Sequence, residues 1–268
     1  MTKSIETFQI SAEQAEYYES KFVPAIFGEW APHLVEAGSV SPGQIVLDVA
    51  CGTGVVARAA SERVGNEGRV VGLDLNEAML GVARRLRPDL EWRQGDAAEL
   101  PFADGSFDVV LCQAAMMFFP DVGQALREMA RVVKARGTVA VQVFGSLESQ
   151  PGYGPFVTVA TRHGGPEAIN LLNTYWRLGN LDELIALIES AGLSVTGTRT
   201  LEGSARFDSI DEFVAVEVKS TPLIEMITDE VYDQIVEESR RALQSFATEA
   251  GTAKIPIVGH LLTARHRT

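Results

Sequence analysis

The sequence predicts an α/β fold: a doubly wound, mostly parallel seven-stranded sheet with helical lid insertions. Three observations lead there. Apolar runs of strand length alternate with amphipathic helical patterns along much of the 268 residues, as a parallel sheet with helices on both faces requires. Val46–Arg58 (VLDVACGTGVVAR) passes from such a run through Gly52-Thr53-Gly54 into a helical pattern. That corner brings small residues and unpaired helix N–H groups to one place, where a ligand can approach the backbone. Finally, acidic residues recur at the carboxyl ends of successive strands, at Asp48, Asp74 and Asp96.

Residues 11–38 read as helical, with Tyr17, Phe22, Ile26, Trp30 and Leu34 at near-helical spacing and Pro24 as a break. The first strand surrounds Asp48. Arg69–Leu75 is the second, ending at Asp74, 20 residues beyond Gly54. Leu90–Gln94 is the third, followed by Gly95-Asp96-Ala97, and Phe107–Gln113 is the fourth, after a turn at Asp104-Gly105. A helix over 121–133, capped by Asp121, shows an apolar face of Val122, Ala125, Leu126, Met129 and Val133. Thr138–Phe144 is the fifth strand. A Gly/Pro-punctuated excursion over 146–178 leads to a helix at 181–191, capped by Asn180 and ended by Gly192. Strand Leu193–Leu201 follows, then a second excursion over about 205–252. In it Ser209 and Glu212 form a capping box and Thr228 caps a long acidic helix. Ile255–Ala264 is the last strand.

One domain over 1–268 results, with an N-terminal helical cap (1–40) and a cofactor-binding core (41–145). Both excursions leave the sheet where they can cover the crevice outside the strand ends, the usual ligand site of open α/β sheets. They are read as lids that shape a second binding site.

The apolar share, 46%, is that of an ordinary globular protein, and the net charge of −13 opposes binding to nucleic acid or to an anionic membrane surface. The first residues lack the apolar core of a secretory signal, and no run approaches the ~20 apolar residues of a membrane span. A soluble cytoplasmic protein is expected. Its two cysteines, Cys51 and Cys112, read as reduced packing residues, and no metal site is expected. A homodimer is compatible with the sequence.

Gly52, Gly54 and Ala57 satisfy a Gly-x-Gly-x-x-Gly/Ala pattern that many strand–turn–helix corners also satisfy. Charge narrows the ligand. Carboxylates at three strand tips would repel a pyrophosphate at low dielectric. They suit a ligand that carries an ammonium, a sulfonium, a ribose and an adenine without phosphate, as S-adenosylmethionine does.

At these residues the chain resembles the class I S-adenosylmethionine-dependent methyltransferases, most of all the ubiquinone/menaquinone-biosynthesis group, over roughly Val46–Gly145. The resemblance implies a Rossmann-like fold and the following contacts. Asp48, Ala50, Cys51, Gly52, Thr53 and Gly54 form the cofactor loop, whose backbone holds the methionine moiety. Asp74 holds the ribose, while Leu75 and Met79 line the adenine or ribose. Gly95, Asp96 and Ala97 meet the adenine edge, and Gln113 lies near the transferred methyl. Two departures stand out. Ala135-Arg136-Gly137 replaces a Pro-Gly-Gly turn before the fifth strand, and Met117-Phe118 replaces a His-His pair after the fourth.

The expected reaction is methyl transfer to a small, fairly apolar metabolite at O, C or N. Alignment alone can supply ~7–11 kcal/mol of such an in-line displacement, so no fixed catalytic group need exist. His163 is the one candidate base, against the alternative of a solvated loop histidine. Tyr18, Met117, Phe118 and Trp176 are candidate acceptor-pocket residues, each also explicable as packing. Two other readings stand beside this one. A cofactor-binding module or non-methylating enzyme would share the same loop. A macromolecule methyltransferase is disfavoured by the charge and by Cys112-Gln113-Ala114-Ala115 in place of an Asn/Asp-Pro-Pro-Tyr/Phe box.

Overall fold

Seven strands hydrogen-bond into one sheet in the order β3-β2-β1-β4-β5-β7-β6 in a computed structural model, which describes residues 10–165, 172–219 and 223–267. They are β1 (Ile45–Val49), β2 (Arg69–Asp74), β3 (Glu91–Gln94), β4 (Phe107–Gln113), β5 (Val133–Phe144), β6 (Leu193–Phe207) and β7 (Ala253–His266). The first five pair in parallel, and β7 runs antiparallel to both β5 and β6. Strand order reverses between β1 and β4, so their carboxyl ends open a crevice between diverging loops. The two central strands are apolar on both faces: Val46, Leu47, Val49 and Val109–Cys112 are all buried.

Helices α2 (Gly28–Ala37) and α3 (Val55–Val64) cover one face through Ala31, Leu34, Val56, Ala57 and Ala60. On the other lie α5 (Val122–Val132) and the helix Leu181–Ser190, which place Leu126, Met129, Leu184 and Ile188 in the larger core. Trp30 fixes how α2 sits. Its indole fills grooves at Gly203 and Gly259, where an added Cβ would come within 2.9 and 2.7 Å of the ring.

The chain before α2 differs from expectation. It continues from α1 (Ala12–Tyr17) through Tyr18–Phe27 into α2 with no break at Pro24. That middle segment is π-helical. Proline lacks the N–H that an α-helix needs and crowds the carbonyl four residues back, and the wider turn relieves both problems.

The outer strands are longer than predicted. β6 and β7 pair from Leu193↔His266 to Phe207↔Ala253, with one bulge between Val195 and Gly197, so residues 205–207 belong to the sheet and the second excursion starts later. His266 is part of β7, beyond the expected strand end at Ala264, with its Nε2 3.2 Å from the Val133 carbonyl. β5 starts early, at Val133. Between the pairs Phe107↔Val133 and Val109↔Thr138 its residues Lys134-Ala135-Arg136-Gly137 bulge opposite Asp108 alone.

The two excursions pack on each other. Helix α6 (Tyr153–Gly164) meets the helices Ile210–Lys219 and Asp229–Ala242 through Phe156 and Phe213, whose rings lie 4.9 Å apart, and through the Tyr153 hydroxyl, which donates to Glu217 at 3.0 Å. The Ser209 cap is present, but Glu212 reaches back to the Asp208 N–H instead of completing a box with Ser209. The start of the expected cap, 1–9, and the stretches 166–171 and 220–222 lie outside the described residues. No helix among the described residues is long and apolar enough to cross a membrane.

Glu217 is 4% exposed, and burial pushes its carboxyl up to about 7 against the lowering effect of the Tyr153 hydrogen bond. A raised carboxyl favours folding while protonated in the folded state, and that advantage is lost as pH rises from the unfolded value near 4.5 towards 7. Glu217→Gln removes this dependence. Thermal unfolding should therefore show the variant gaining on the wild type between pH 5 and 8, by on the order of 3 kcal/mol at most. Parallel melting curves across that range would count against a raised Glu217 carboxyl.

Candidate functional site

The glycine loop after β1 is held from beneath and from the side. Asp48, 1% exposed, lies under it and accepts the Ala57 N–H of α3 at 2.9 Å; burial pushes its carboxyl up to about 8. Asp74, at the tip of β2, accepts the Gly52 N–H at 2.7 Å and the Asn76 N–H at 2.8 Å. Burial raises the Asp74 carboxyl too, and those backbone hydrogen bonds pull the other way. Asn76 in turn caps α4 (Glu77–Leu86) by accepting from Ala78 and Met79, and its side-chain amide donates to the Ile10 carbonyl. Trp92 is slotted between β2 and the loop. An added Cβ would come within 2.3 Å of its ring at Gly54 and 2.4 Å at Gly72, while the indole N–H donates to the Arg87 carbonyl. Gly54, at φ +87°, thus answers both a left-handed conformation and a steric limit.

Above this loop lies a cavity of about 260 Å³. Ala50 (φ +54°) and Ala114 (φ +47°) follow the tips of β1 and β4 and line it, and such strained residues concentrate at functional sites. The β2–β3 side contributes Asp74, Leu75, Asn76, Met79 and the run Gly95–Ala98. The roof is Ile10, just before the first helix, and the helical stripe Gln14, Tyr18, Phe22 and Phe27, with the last three rings stacked 5.4–6.2 Å apart. Phe118, Phe119, Pro120, Asp121 and Tyr175 close the far end, where Arg177 donates to the Phe119 carbonyl at 2.7 Å. Among the described residues the lining contains three carboxylates, Asp74, Asp96 and Asp121, and no lysine, arginine or histidine. Gln113 donates its amide N–H to the Phe27 carbonyl, and its buried Oε1 has no partner.

Of the residues singled out in the sequence, the cavity brings together Ala50, Gly52, Asp74, Leu75, Met79, Gly95, Asp96, Ala97 and Gln113, with Tyr18 and Phe118. Asp48, Cys51, Thr53 and Gly54 do not line it; they build the underside of the loop. The negative lining is therefore not the predicted trio: Asp48 is missing from it, and Asp121, at the far end, is added. Met117 is core, and Trp176 is buried against Tyr153 and Phe144, leaving its neighbour Tyr175 at the cavity. His163 lies outside the lining, with Nε2 2.6 Å from Glu238. The described residues of the second excursion contribute nothing to the wall.

Sequence reasoning missed Asn76, Asp121 and most of the roof as lining residues. The roof had a legible signal, the four-residue spacing of Ile10, Gln14, Tyr18 and Phe22. Asn76 had one as well, a capping residue directly before an amphipathic helix.

This geometry fits an adenosyl ligand with a sulfonium. A phosphate would meet carboxylates as the only charged groups among the described lining residues, whereas Asp74 presents a fixed acceptor for paired hydroxyls and the unpartnered Gln113 oxygen awaits a donor or a positive charge.

A methyltransferase-domain family model matches residues 47–141. The chain is 43% identical over 135 residues to a demethylmenaquinone methyltransferase of Renibacterium salmoninarum, covering 50% of this chain and 54% of that one. A demethylmenaquinone methyltransferase of Lactobacillus johnsonii is 31% identical over 181 residues, with 65% and 70% covered. The chain thus spans about half the length of the first relative and more of the second. Among solved structures, the YcgJ protein of Bacillus subtilis superposes with a TM-score of 0.60 at 21% identity, over 90% of this chain and 99% of that one.

Gly54→Ala tests the loop. The left-handed backbone costs ~1–2 kcal/mol with a Cβ and the clash with Trp92 another ~1–3 kcal/mol. Calorimetric melting should fall accordingly, with a change in Trp92 fluorescence; an unaltered melt would show that Trp92 does not confine the loop.

Proposed function

Because the chain belongs to the class I S-adenosylmethionine-dependent methyltransferases, in their ubiquinone/menaquinone-biosynthesis group, we propose that it methylates a flat, apolar small molecule of quinol or phenol type. The cavity lining carries this reading: Asp74 and Asp96 without cations among the described residues at one end, and aromatic and aliphatic walls around Asp121 at the other.

When bound, S-adenosylmethionine supplies a methyl group already activated on a sulfonium. Asp74 accepts the ribose hydroxyls, and Leu75 and Met79 pack on the adenine or ribose. Asp96 and Ala97 take the adenine edge. The backbone at Ala50 and Gly52, with Gln113, holds the methionine end. Phe22, Phe27, Phe118, Phe119 and Tyr175 form the acceptor wall, and the roof with its stacked rings excludes water. Catalysis rests chiefly on alignment, since among the described residues Asp121, Tyr18 and Tyr175 are the titratable side chains toward the acceptor end and no histidine or lysine joins them. The names of the two relatives, both demethylmenaquinone methyltransferases, support a quinone-type acceptor. A cavity roofed by a helix favours a small molecule over a nucleic acid or protein.

Purified chain given labelled S-adenosylmethionine and a panel of reduced naphthoquinols and naphthols should release S-adenosylhomocysteine and label the acceptor. Binding of S-adenosylhomocysteine without turnover on the panel would reduce the protein to a binding module. Asp74→Asn should weaken S-adenosylhomocysteine binding about 10- to 100-fold, the worth of hydrogen bonds to a charged acceptor. Unchanged calorimetric affinity would remove Asp74 from the site.

A further inference from the structure

A second cleft, of about 170 Å³, lies at the amino-terminal end of the parallel strands. β4 is seven residues long, which puts this cleft about 20 Å from the cavity at the other end of the sheet. Its charged lining residues are Lys134, Arg136, Arg265 and Asp108. Asp108 is spoken for: it accepts the Lys134 ammonium at 2.7 Å and the Ile45 N–H at 2.9 Å. Those bonds outweigh burial and hold its carboxyl below the ordinary range, so it cancels Lys134.

Arg136 and Arg265 remain. Neither forms an ion pair or a side-chain hydrogen bond among the described residues, although the chain carries thirteen more acidic than basic charges and most of its other described cations sit against carboxylates. The position of Arg136 is built. It stands on the four-residue bulge opposite Asp108, held there by Gly137, where a Cβ would lie 2.7 Å from the Asp108 carbonyl. Arg265 comes in from β7, and the hydroxyl-bearing Ser39 and Thr138 also line the cleft. Two uncommitted guanidinium forks over a small polar cleft match the oxygens of a phosphate, which arginine grips bidentately.

We propose that this cleft is an anion site for a phosphate group, free or carried on a small metabolite, gripped by Arg136 and Arg265 and separate from the methyl-transfer cavity. A single anionic group suits the small volume better than a peptide or nucleic-acid strand, and the acidic remainder of the surface repels both of the latter when they are anionic.

Isothermal titration of the full chain at low ionic strength tests it, with inorganic phosphate, pyrophosphate and glycerol 3-phosphate as separate probes. At least one should bind saturably at one per chain. Tighter inorganic phosphate or pyrophosphate identifies a free anion, and tighter glycerol 3-phosphate a metabolite-borne one. Arg136→Ala and Arg265→Ala should each weaken that probe 10-fold or more, while Lys254→Ala, at the opposite end of β7, should not. S-adenosylhomocysteine affinity should be unchanged in all three variants. No saturable binding to the wild type, equal loss in Lys254→Ala, or full affinity in both cleft variants would overturn the site, as would heat that sodium chloride of matched ionic strength abolishes.

Discussion

The carboxylate of Asp74 is the hinge on which the cavity depends. It spends both oxygens on backbone N–H groups, at Gly52 across the sheet and at Asn76 in its own turn. One side chain thereby ties the loop after β1 to the start of α4, and through Asn76 to the Ile10 carbonyl of the roof. Three segments far apart in sequence meet around a single acceptor. Its half-buried placement makes the charge expensive, and the backbone donors are what offset that cost.

The core of this fold was legible because its physics is local. Strands such as Phe107–Gln113 are short apolar runs bounded by turn residues, and the helix at Val122–Val132 carries both its cap and its stripe in sequence. The lengths of β6 and β7 were not legible. Their outer halves alternate polar and small residues, and only pairing along the whole ladder, to Phe207↔Ala253, makes them strand. Pro24 misled for a similar reason. Proline forbids a regular α-turn, but nothing local distinguishes a break from a widened turn.

The site divides in the same way. Asp74, Asp96 and Gln113 could be placed by their position at strand tips. Asp48 was mistaken for a ligand-facing charge, since a strand pattern does not say whether a carboxylate points into the crevice or under the loop. Trp92, which dictates glycine at two distant positions, was invisible for a related reason: its effect is a packing constraint between β2 and the loop, and steric limits of that kind leave no periodic trace. His163 drew notice by residue type alone, and its partner Glu238 lies on another helix.

The widened helical turn over Tyr18–Phe27 has a geometric corollary. A uniform α-helix would rotate residues spaced by five out of line, yet Phe22 and Phe27 share one face with Tyr18. Shortening this segment by one residue would restore ordinary helical winding and turn everything before it by about 100°. Tyr18 would then swing away from Gly52, and the ceiling would face outward. An apparent irregularity in the backbone is what keeps the aromatic canopy in phase with the glycines below it.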